Sequence, residues 1–307
     1  MKFTFPLPHI MRLPAMTQPW EADVTGPDQL RIAARAEALG YDMIAIPEHM
    51  AIPAEEIGLS GKHWFHSTVA QAALAGATSC IRLNSCVTIL PFQHPIIMAK
   101  ALATADWMSG GRMMVTFGIG SMQREYELLG LPFHQRGRMA DEYLTAIIAL
   151  WTQDSPSFEG RYVSFRDIGF EPKPVQKPHL PIWMGGDSDA ALRRAARFAS
   201  GWIVSFRTRP EDIPARIDFI KSQSGWKERD FEVMFGLGTT RIKERHAAAD
   251  DPDARPGMSA AEIVDRLCWY KSLGVTTSSV PIPSLSGIEA YLDYAQWVIE
   301  EIKPKLQ

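Results

Sequence analysis

The chain has 307 residues, 46% of them hydrophobic and 22% charged, which is the composition of an ordinary globular protein. A formal net charge of −3 argues against nucleic-acid binding, and no apolar run approaches the about 20 residues that span a bilayer. Three cysteines without a CxxC pair, and an N-terminus without the apolar centre of a signal peptide, predict a cytoplasmic protein.

Predicted strands and helices alternate along nearly the whole chain. The first helix has the clearest ends, since Thr25 and Asp28 form a capping box, Pro27 lies in the first turn and Gly40 stops the helix. Apolar runs predict eight strands, at 3–8, 41–47, 82–90, 112–117, 181–186, 201–206, 231–241 and 275–282. A helix is predicted after each strand, at 28–40, 67–78, 95–111, 139–151, 189–199, 211–222, 260–274 and 287–302.

Two insertions interrupt this alternation. Residues 155–180 contain FEGRYVSFRDI, where a glycine separates two alternating runs, and then a proline-rich stretch; the pattern predicts a hairpin and a surface connector. Residues 242–257 are a polar insertion. The chain is predicted to be a single domain over 1–307.

Eight strand–helix units predict a closed (β/α)8 TIM barrel of the α/β class, with parallel strands and an inserted hairpin. Strands that are continuous apolar runs agree with burial on both faces. In such barrels the chemistry lies at the C-terminal ends of the strands. The candidate residues are therefore those that directly follow each strand.

The stretch VTFGIGSMQREY carries two of the three glycines of a dinucleotide-binding fingerprint. Gly118 and Gly120 are present, but Gln123 stands where the third glycine belongs, so the fingerprint fails. Two readings stay open for the pair. The glycines either ease a turn or let the backbone approach a flat ligand.

A second glycine pair, Gly185 and Gly186, precedes Asp187 and Ser188 at a predicted helix start. Asp187 or Ser188 can cap the helix, and the free N–H groups and the helix dipole can hold a phosphate. The carboxylates of Asp187 and Asp189 would repel a phosphate unless they turn away. Capping and phosphate binding are both predicted here.

Polar and aromatic residues follow the second and third strands. Glu48 and His49 end the second strand, and a histidine there can act as an acid or base near neutral pH. His94 is interpreted as a helix cap or a loop hydrogen-bonding group, because it precedes a proline. The histidines lack metal-ligand spacing, and no G-x-S-x-G nucleophile elbow occurs. The aromatic and polar groups near the mouth are Trp64, His66, Thr88, Phe92 and Gln93.

Six segments together resemble the bacterial luciferase-like flavin and deazaflavin oxidoreductases, and within them the branch called coenzyme F420-dependent. The segments are RAEALGYDMIAIPEHM, TILPFQHPIIMAKALATADWMSGGR, VTFGIG, REYELLG with RGRMADEYLTAIIALW, FEGRYVSF with PKPVQKPHLPIWMGG, and MSAAEIVDRLCWYKSLGV. The resemblance covers nearly the whole chain. It implies a (β/α)8 barrel with an insertion and commonly a homodimer.

The resemblance also implies roles for individual residues. A deazaflavin or flavin ring would lie in the mouth beside Gly118 and Gly120, and a non-proline cis peptide, by position Ser85–Cys86, would press on it. Glu48 and His49 would be catalytic, with His49 as proton donor or acceptor. The other cofactor-binding residues would be Ser85, Cys86, Thr88, Gly185, Gly186, Asp187 and Ser188. The substrate would contact Trp64, His66 and Phe92.

One departure limits the substrate. Some deazaflavin members carry a catalytic acid a few residues past the fourth strand, where this sequence has Ser121, Met122 and Gln123. Glu125 is the nearest carboxylate, on a predicted short helix. A sugar-phosphate dehydrogenase of that subtype is therefore not predicted.

The reaction predicted is F420-dependent hydride transfer to or from an organic small molecule, an apolar carbonyl or enone in type. The alternatives are a monooxygenase that uses reduced FMN and oxygen, and a barrel that binds flavin without turnover. No metal, nucleic-acid or membrane partner is predicted.

Overall fold

The computed structural model describes residues 1–237 and 258–306, and within them eight parallel strands close into a barrel. The order around the barrel is β1-β10-β9-β8-β7-β4-β3-β2, so the first and last strands pair. The predicted (β/α)8 architecture is confirmed. The barrel strands are β1 Lys2–Pro6, β2 Met43–Ile46, β3 Arg82–Ile89, β4 Met113–Gly118, β7 Ile182–Gly185, β8 Gly201–Ile203, β9 Glu232–Met234 and β10 Thr277–Ser278.

Helices surround the barrel and begin close to the predicted residues. Thr25 and Asp28 form the predicted capping box, and Gly40 ends the first helix in the left-handed conformation at φ +91°. In the described residues no helix has the length and apolarity to cross a membrane. The helices are α1 Gly26–Leu39, α2 Ile57–Ser60, α3 Ser67–Ala75, α4 Pro95–Met108, α5 Gln123–Leu128, α6 Arg136–Thr152, α7 Asp189–Phe198, α8 Ile213–Ser222, α9 Ala260–Ser272 and α10 Ile288–Trp297.

The insertion predicted at 155–180 contains the expected hairpin, formed by β5 Phe158–Glu159 and β6 Ser164–Phe165 in antiparallel pairing. The insertion predicted at 242–257 lies outside the described residues. Most observed strands are shorter than the apolar runs, and the run at 275–282 gives only Thr277–Ser278. Residues 238–241 of the strand predicted at 231–241 lie outside the described residues.

Every residue of β4 is buried, including Thr116, whose hydroxyl is hydrogen-bonded to the Asn84 side chain. The N-terminal end of the barrel is closed by charge. Glu232 accepts from Lys2 at 2.8 Å and from Arg82 at 3.3 Å, so one carboxylate joins β9, β1 and β3. The opposite, C-terminal end therefore holds the candidate site.

A bulge in β3 corrects one expectation. The non-proline cis peptide joins Cys86 and Val87, one residue later than the predicted Ser85–Cys86 bond. The pairing of β3 with β4 shifts between Cys86 and Thr88, which leaves Val87 without a partner in the ladder. An apolar run indicates a strand but not where its register shifts, so the sequence pattern could not fix this position.

Candidate functional site

His49 is held by a buried carboxylate from another part of the barrel mouth. Its Nδ1 lies 2.9 Å from Oε2 of Glu125, which is fully buried, while the His49 side chain is 23% exposed. The second oxygen of Glu125 accepts the N–H groups of Met50, at 2.7 Å, and Ala51, at 3.2 Å. The carboxylate is thus fixed on both sides, and it can stabilise a positive charge on the imidazole.

Glu48 points away from His49 into a separate buried network. Its Oε2 accepts both the N–H of Ser67, at 2.9 Å, and the hydroxyl of Ser67, at 2.6 Å. That hydroxyl lies 2.8 Å from Oγ1 of Thr88, also fully buried. Glu48 therefore caps the start of α3 and ties it to β3, which is a structural role whatever else it does.

His66 borders the Glu48 network. Its Nδ1 lies 3.6 Å from Oε2 of Glu48, and its Nε2 is 2.8 Å from the side-chain amide of Gln93. His66, which the sequence predicts to contact the substrate, is thus held between Glu48, which follows β2, and Gln93, which follows β3.

Aromatic side chains lie beside His49 and in the loop that follows β3. The ring of Trp64 meets His49 edge-on at 4.6 Å between centroids, and its indole N–H donates to the Ser60 carbonyl. Phe92 packs edge-on against Tyr126 at 4.8 Å between ring centroids. Tyr126 lies on α5, the short helix that also carries Glu125. These rings give the mouth an apolar wall suited to a planar or apolar ligand.

The glycines at the ends of β4 and β7 make room for Val87. A Cβ added at Gly118 would lie 2.6 Å from one Val87 methyl group, and one at Gly185 would lie 2.7 Å from the other. Gly120, at φ +65°, faces Ile89 and Tyr126. Within the protein, Gly118 and Gly185 closely approach the bulge of β3, and their approach to a flat ligand stays a prediction.

The start of α7 is shaped for an anion. Ser188 caps the helix by accepting from the N–H of Ala191, and Gly186 takes the left-handed conformation at φ +105°. The Asp187 carboxylate turns away and accepts from the Ser205 N–H and the Thr208 hydroxyl. The Asp187 carboxylate is thereby kept away from the first N–H groups of the helix. Asp189 lies in the first turn and pairs with Arg193 at 3.5 Å, and the glycines and the serine fit a phosphate.

Three other candidates are engaged within the protein. The hydroxyl of Ser85 accepts the N–H of Thr116 on β4 and is fully buried. Burial raises the pKa of the Cys86 thiol to about 11, so the thiol is protonated at neutral pH. His94 caps α4 by accepting the N–H of Ile96, as the sequence analysis predicted.

Among the described residues, no group of three or more His, Cys, Asp or Glu side chains could hold a metal ion.

Sequence reasoning missed two residues of this mouth, Glu125 and Val87. The sequence shows Glu125 as one of several charges on a short polar helix, and only the fold places it against His49. The distance along the chain, 76 residues, leaves no local signal for the pair.

A closed (β/α)8 barrel with a histidine–carboxylate pair at its C-terminal mouth is the architecture of an enzyme. The family described as luciferase-like monooxygenase matches residues 11–277. The chain belongs to that family, so the resemblance noted from its segments is confirmed.

Three known proteins show how this chain compares with others. A Mycobacterium tuberculosis protein described as uncharacterized is 36% identical over 276 residues, covering 84% of this chain and 88% of the relative. The FMNH2-dependent dimethylsulfone monooxygenase of Pseudomonas putida is 33% identical over 170 residues, covering 54% of this chain and 46% of that protein. The structure of the coenzyme F420-dependent tetrahydromethanopterin reductase from Methanopyrus kandleri superimposes with a TM-score of 0.75 at 17% identity, covering 100% and 99% of the two chains, and shares the fold.

Proposed function

We propose that the protein is an F420-dependent oxidoreductase that transfers hydride to or from an organic carbonyl or enone, with His49 handling the proton. The observation that supports this most is the buried Glu125 carboxylate on Nδ1 of His49. A histidine oriented by a carboxylate is a general acid–base group. Two structural neighbours whose names give F420 as the cofactor support the choice of F420 in this proposal.

Different residues of the mouth would bind the cofactor and the substrate. A bound deazaflavin supplies hydride chemistry, and the protein orients the reactants and excludes water. The Gly185–Ser188 segment would hold a phosphate at the start of α7, while Gly118, Gly120 and the Cys86–Thr88 bulge would border the ring. Trp64, His66 and Phe92 would contact the substrate.

His49 completes the reaction by moving one proton. When Nδ1–H donates to Glu125, Nε2 is the ring nitrogen that remains for proton transfer. In the reductive direction carbon receives the hydride and His49 gives its proton to the carbonyl oxygen or the adjacent carbon. In the oxidative direction His49 takes the proton from the alcohol. Glu125 holds the ring in place, and its other oxygen is fixed by the N–H groups of Met50 and Ala51.

A monooxygenase that uses reduced FMN and oxygen is the second candidate. The relative in Pseudomonas putida, whose name gives that cofactor, is 33% identical over 170 residues and favours it. The same mouth would serve, because FMN also carries a planar ring and a phosphate. The two candidates differ in the cofactor bound and in oxygen consumption.

Fluorescence titration with F420 and with FMN separates the candidates. We expect F420 to bind, and its reduced form to be oxidised by members of a carbonyl and enone panel. Binding of FMN but not F420, with oxygen consumption, would refute the F420-dependent reaction and support the monooxygenase. Binding of neither cofactor would refute both candidate functions. His49→Ala should bind the cofactor normally but lose about 10²–10⁴-fold in turnover, and normal turnover would remove His49 from the mechanism.

A further inference from the structure

Gln93 follows β3 and the short turn at Leu90–Phe92, and one end of its side-chain amide is free. Its Nε2 lies 2.8 Å from Nε2 of His66. Its Oε1 has no hydrogen-bond partner among the described residues and is not one of the fully buried polar atoms, so this oxygen is open to solvent. A half-buried residue thus presents an accessible carbonyl group at the rim of the mouth.

The ring of His66 determines which end of the Gln93 amide faces outward. An imidazole nitrogen that lies beside an amide N–H is the unprotonated, accepting nitrogen of the ring. The proton of the neutral ring is then on Nδ1, which faces Oε2 of Glu48 at 3.6 Å. That distance is too long for a hydrogen bond, but an acceptor oxygen at this position still favours an N–H over a lone pair on Nδ1.

Ser67 shows that Oε2 of Glu48 is an acceptor. This oxygen receives both the N–H of Ser67, at 2.9 Å, and its hydroxyl, at 2.6 Å. The side chain of Glu48 is fully buried, so these bonds fix its orientation. A chain of three side chains therefore runs from Glu48 through His66 to Gln93. Because both nitrogens of His66 face protein groups, the free hydrogen-bonding atom of this chain is Oε1 of Gln93.

The chain of contacts lies on the same side of the mouth as His49. Trp64 takes part in an antiparallel bridge, and its ring meets His49 edge-on at 4.6 Å between centroids. His66 follows two residues later with an extended backbone, at φ −75° and ψ 116°. Side chains two residues apart in an extended segment point to the same face, about 6.6 Å from each other. The side chain of His66 is 37% exposed, so Trp64, His66 and Gln93 continue one accessible wall from His49.

We propose that Gln93 is a substrate-binding residue whose Oε1 accepts a hydrogen bond from a hydroxyl or N–H group of the substrate, and that Glu48 and His66 position its amide. The inference rests on the proposed function. It adds that the substrate carries a hydrogen-bond donor remote from the carbon that exchanges hydride. Such a remote contact is equally strong in the ground state and the transition state, so it acts on KM and leaves kcat unchanged.

The test compares three planar enones in the F420-loaded enzyme, namely 4-phenyl-3-buten-2-one and its para-hydroxy and para-methoxy derivatives. The hydroxyl group donates a hydrogen bond, the methoxy oxygen only accepts one, and the parent compound does neither. In the wild type we expect KM for the hydroxy-enone to be about tenfold below that for the methoxy-enone.

Gln93→Leu removes the amide and keeps a side chain of similar volume. KM for the hydroxy-enone should rise about tenfold, while KM for the parent enone, kcat, the F420 dissociation constant and Tm are retained. Gln296→Leu is the control, because Gln296 lies near the C-terminal end of α10 and is bonded to Glu300. It should change none of these quantities. Equal changes in KM for all three enones in Gln93→Leu would refute the contact.

His66→Phe tests the positioning. The variant keeps an aromatic ring but removes both nitrogens, so the Gln93 amide is free to turn its N–H groups towards the ligand. The preference for the hydroxy-enone over the methoxy-enone should then fall from about tenfold to about twofold or less. Glu48→Gln should weaken the same preference, because an amide N–H beside Nδ1 favours a lone pair on that nitrogen. A purely structural role would lower Tm without altering the preference, and that result would refute the positioning.

Two spectroscopic measurements do not need turnover. The ¹⁵N shifts of the His66 ring, assigned by their loss in His66→Phe, should show a protonated Nδ1 and an unprotonated Nε2, and a protonated Nε2 would refute the chain. The side-chain amide signals of Gln93, assigned by their loss in Gln93→Leu, should move when the hydroxy-enone is added to the protein loaded with oxidised F420. Unmoved signals would refute the contact, whereas failure of the wild type to bind either cofactor would refute the proposed function.

Discussion

At the scale of single residues, the charge of Glu125 decides what His49 can do. Glu125→Gln keeps an oxygen for the Met50 and Ala51 N–H groups, but it removes the negative charge beside Nδ1 of His49. The protonated ring then loses its stabilising partner. We expect kcat to fall by about 10²-fold or more, with cofactor binding retained, in a steady-state assay that follows F420 fluorescence.

A neighbour on the same helix supplies the control for Glu125. Glu127 is exposed and pairs with Arg124 at 2.8 Å, so Glu127→Gln should leave kcat within about twofold of the wild type. Equal losses in the two variants, or an active Glu125→Gln, would contradict the acid–base role of the pair.

The sequence predicted the candidate site only where a side chain able to act as an acid or base directly follows a predicted strand. His49 directly follows an apolar run, so barrel geometry alone places it in the mouth. Glu125 sits on a six-residue helix with charges on several sides, and no periodicity marks which of them turns inward. The orientation of Glu48, away from His49 and towards Ser67, depends on side-chain packing that local pattern does not encode.

At the scale of elements, the bulge of β3 depends on two glycines of neighbouring strands. Gly118→Ala puts a Cβ 2.6 Å from a Val87 methyl group, so we expect a loss of about 1–3 kcal/mol in the free energy of unfolding. Val87→Ala in the same protein should recover most of that loss by removing the clashing methyls. Urea unfolding of the two single variants and the double variant measures the coupling.

A glycine with open space around it serves as the control for a general effect of alanine substitution. Gly58, on the short α2, has nothing within 4 Å of an added Cβ. Gly58→Ala should therefore be neutral or slightly stabilising. A Gly118→Ala protein as stable as Gly58→Ala, or no recovery in the double variant, would show that the packing against Val87 is loose.

The contact between α1 and the turn before β3 gives a pH-dependent prediction. Partial burial acts to raise the pKa of Glu37, but the N–H groups of Cys80, Ile81 and Ser79 outweigh it and hold that pKa at about 2. The ionised form is favoured in the folded protein, so this stabilisation is complete above the ordinary value of 4.5 and disappears as the pH falls through about 2.

Substitution of Glu37 isolates this contribution. Glu37→Gln should lower the free energy of unfolding by about 1–2 kcal/mol at pH 7, and the difference from the wild type should shrink steadily between pH 4.5 and about 2. Urea unfolding across that range measures it. Glu301→Gln, which alters an exposed pair with Lys305, should show almost no difference, and a Glu37 effect independent of pH would contradict the assignment.

At the scale of the whole molecule, the fold was the most predictable part. Eight apolar runs, each followed by a helical pattern, predict a closed (β/α)8 barrel. Capping residues such as Thr25 and Gly40 determine where a helix begins and ends. What the alternation cannot encode is the register between paired strands that lie far apart in the sequence, such as Ser85 with Val115 or Val115 with Ile182. The bulge at Val87 therefore had to come from the structure.

Closure of the barrel joins the first and last strand–helix units, and Tyr291 of α10 lies at that junction. Its hydroxyl donates to the Pro6 carbonyl, its ring meets Phe5 edge-on at 5.5 Å, and the side chain is almost completely buried. Next to it, the Tyr41 hydroxyl donates to the Ala295 carbonyl at 3.1 Å. Since a closed barrel has no free edge, loosening this seam should weaken the entire domain.

Tyr291→Phe leaves the Pro6 carbonyl without its partner and should lower the free energy of unfolding by about 1–2 kcal/mol, whereas Tyr291→Ala also opens a cavity and should cost about 3–5 kcal/mol. Urea unfolding followed by far-UV circular dichroism and by tryptophan fluorescence should give one coincident transition in each variant. Tyr162→Phe removes a hydroxyl bond to Gln135 beside the inserted hairpin and should cost less. Separate transitions, or an equal cost at Tyr162, would mean that the seam does not govern the stability of the barrel.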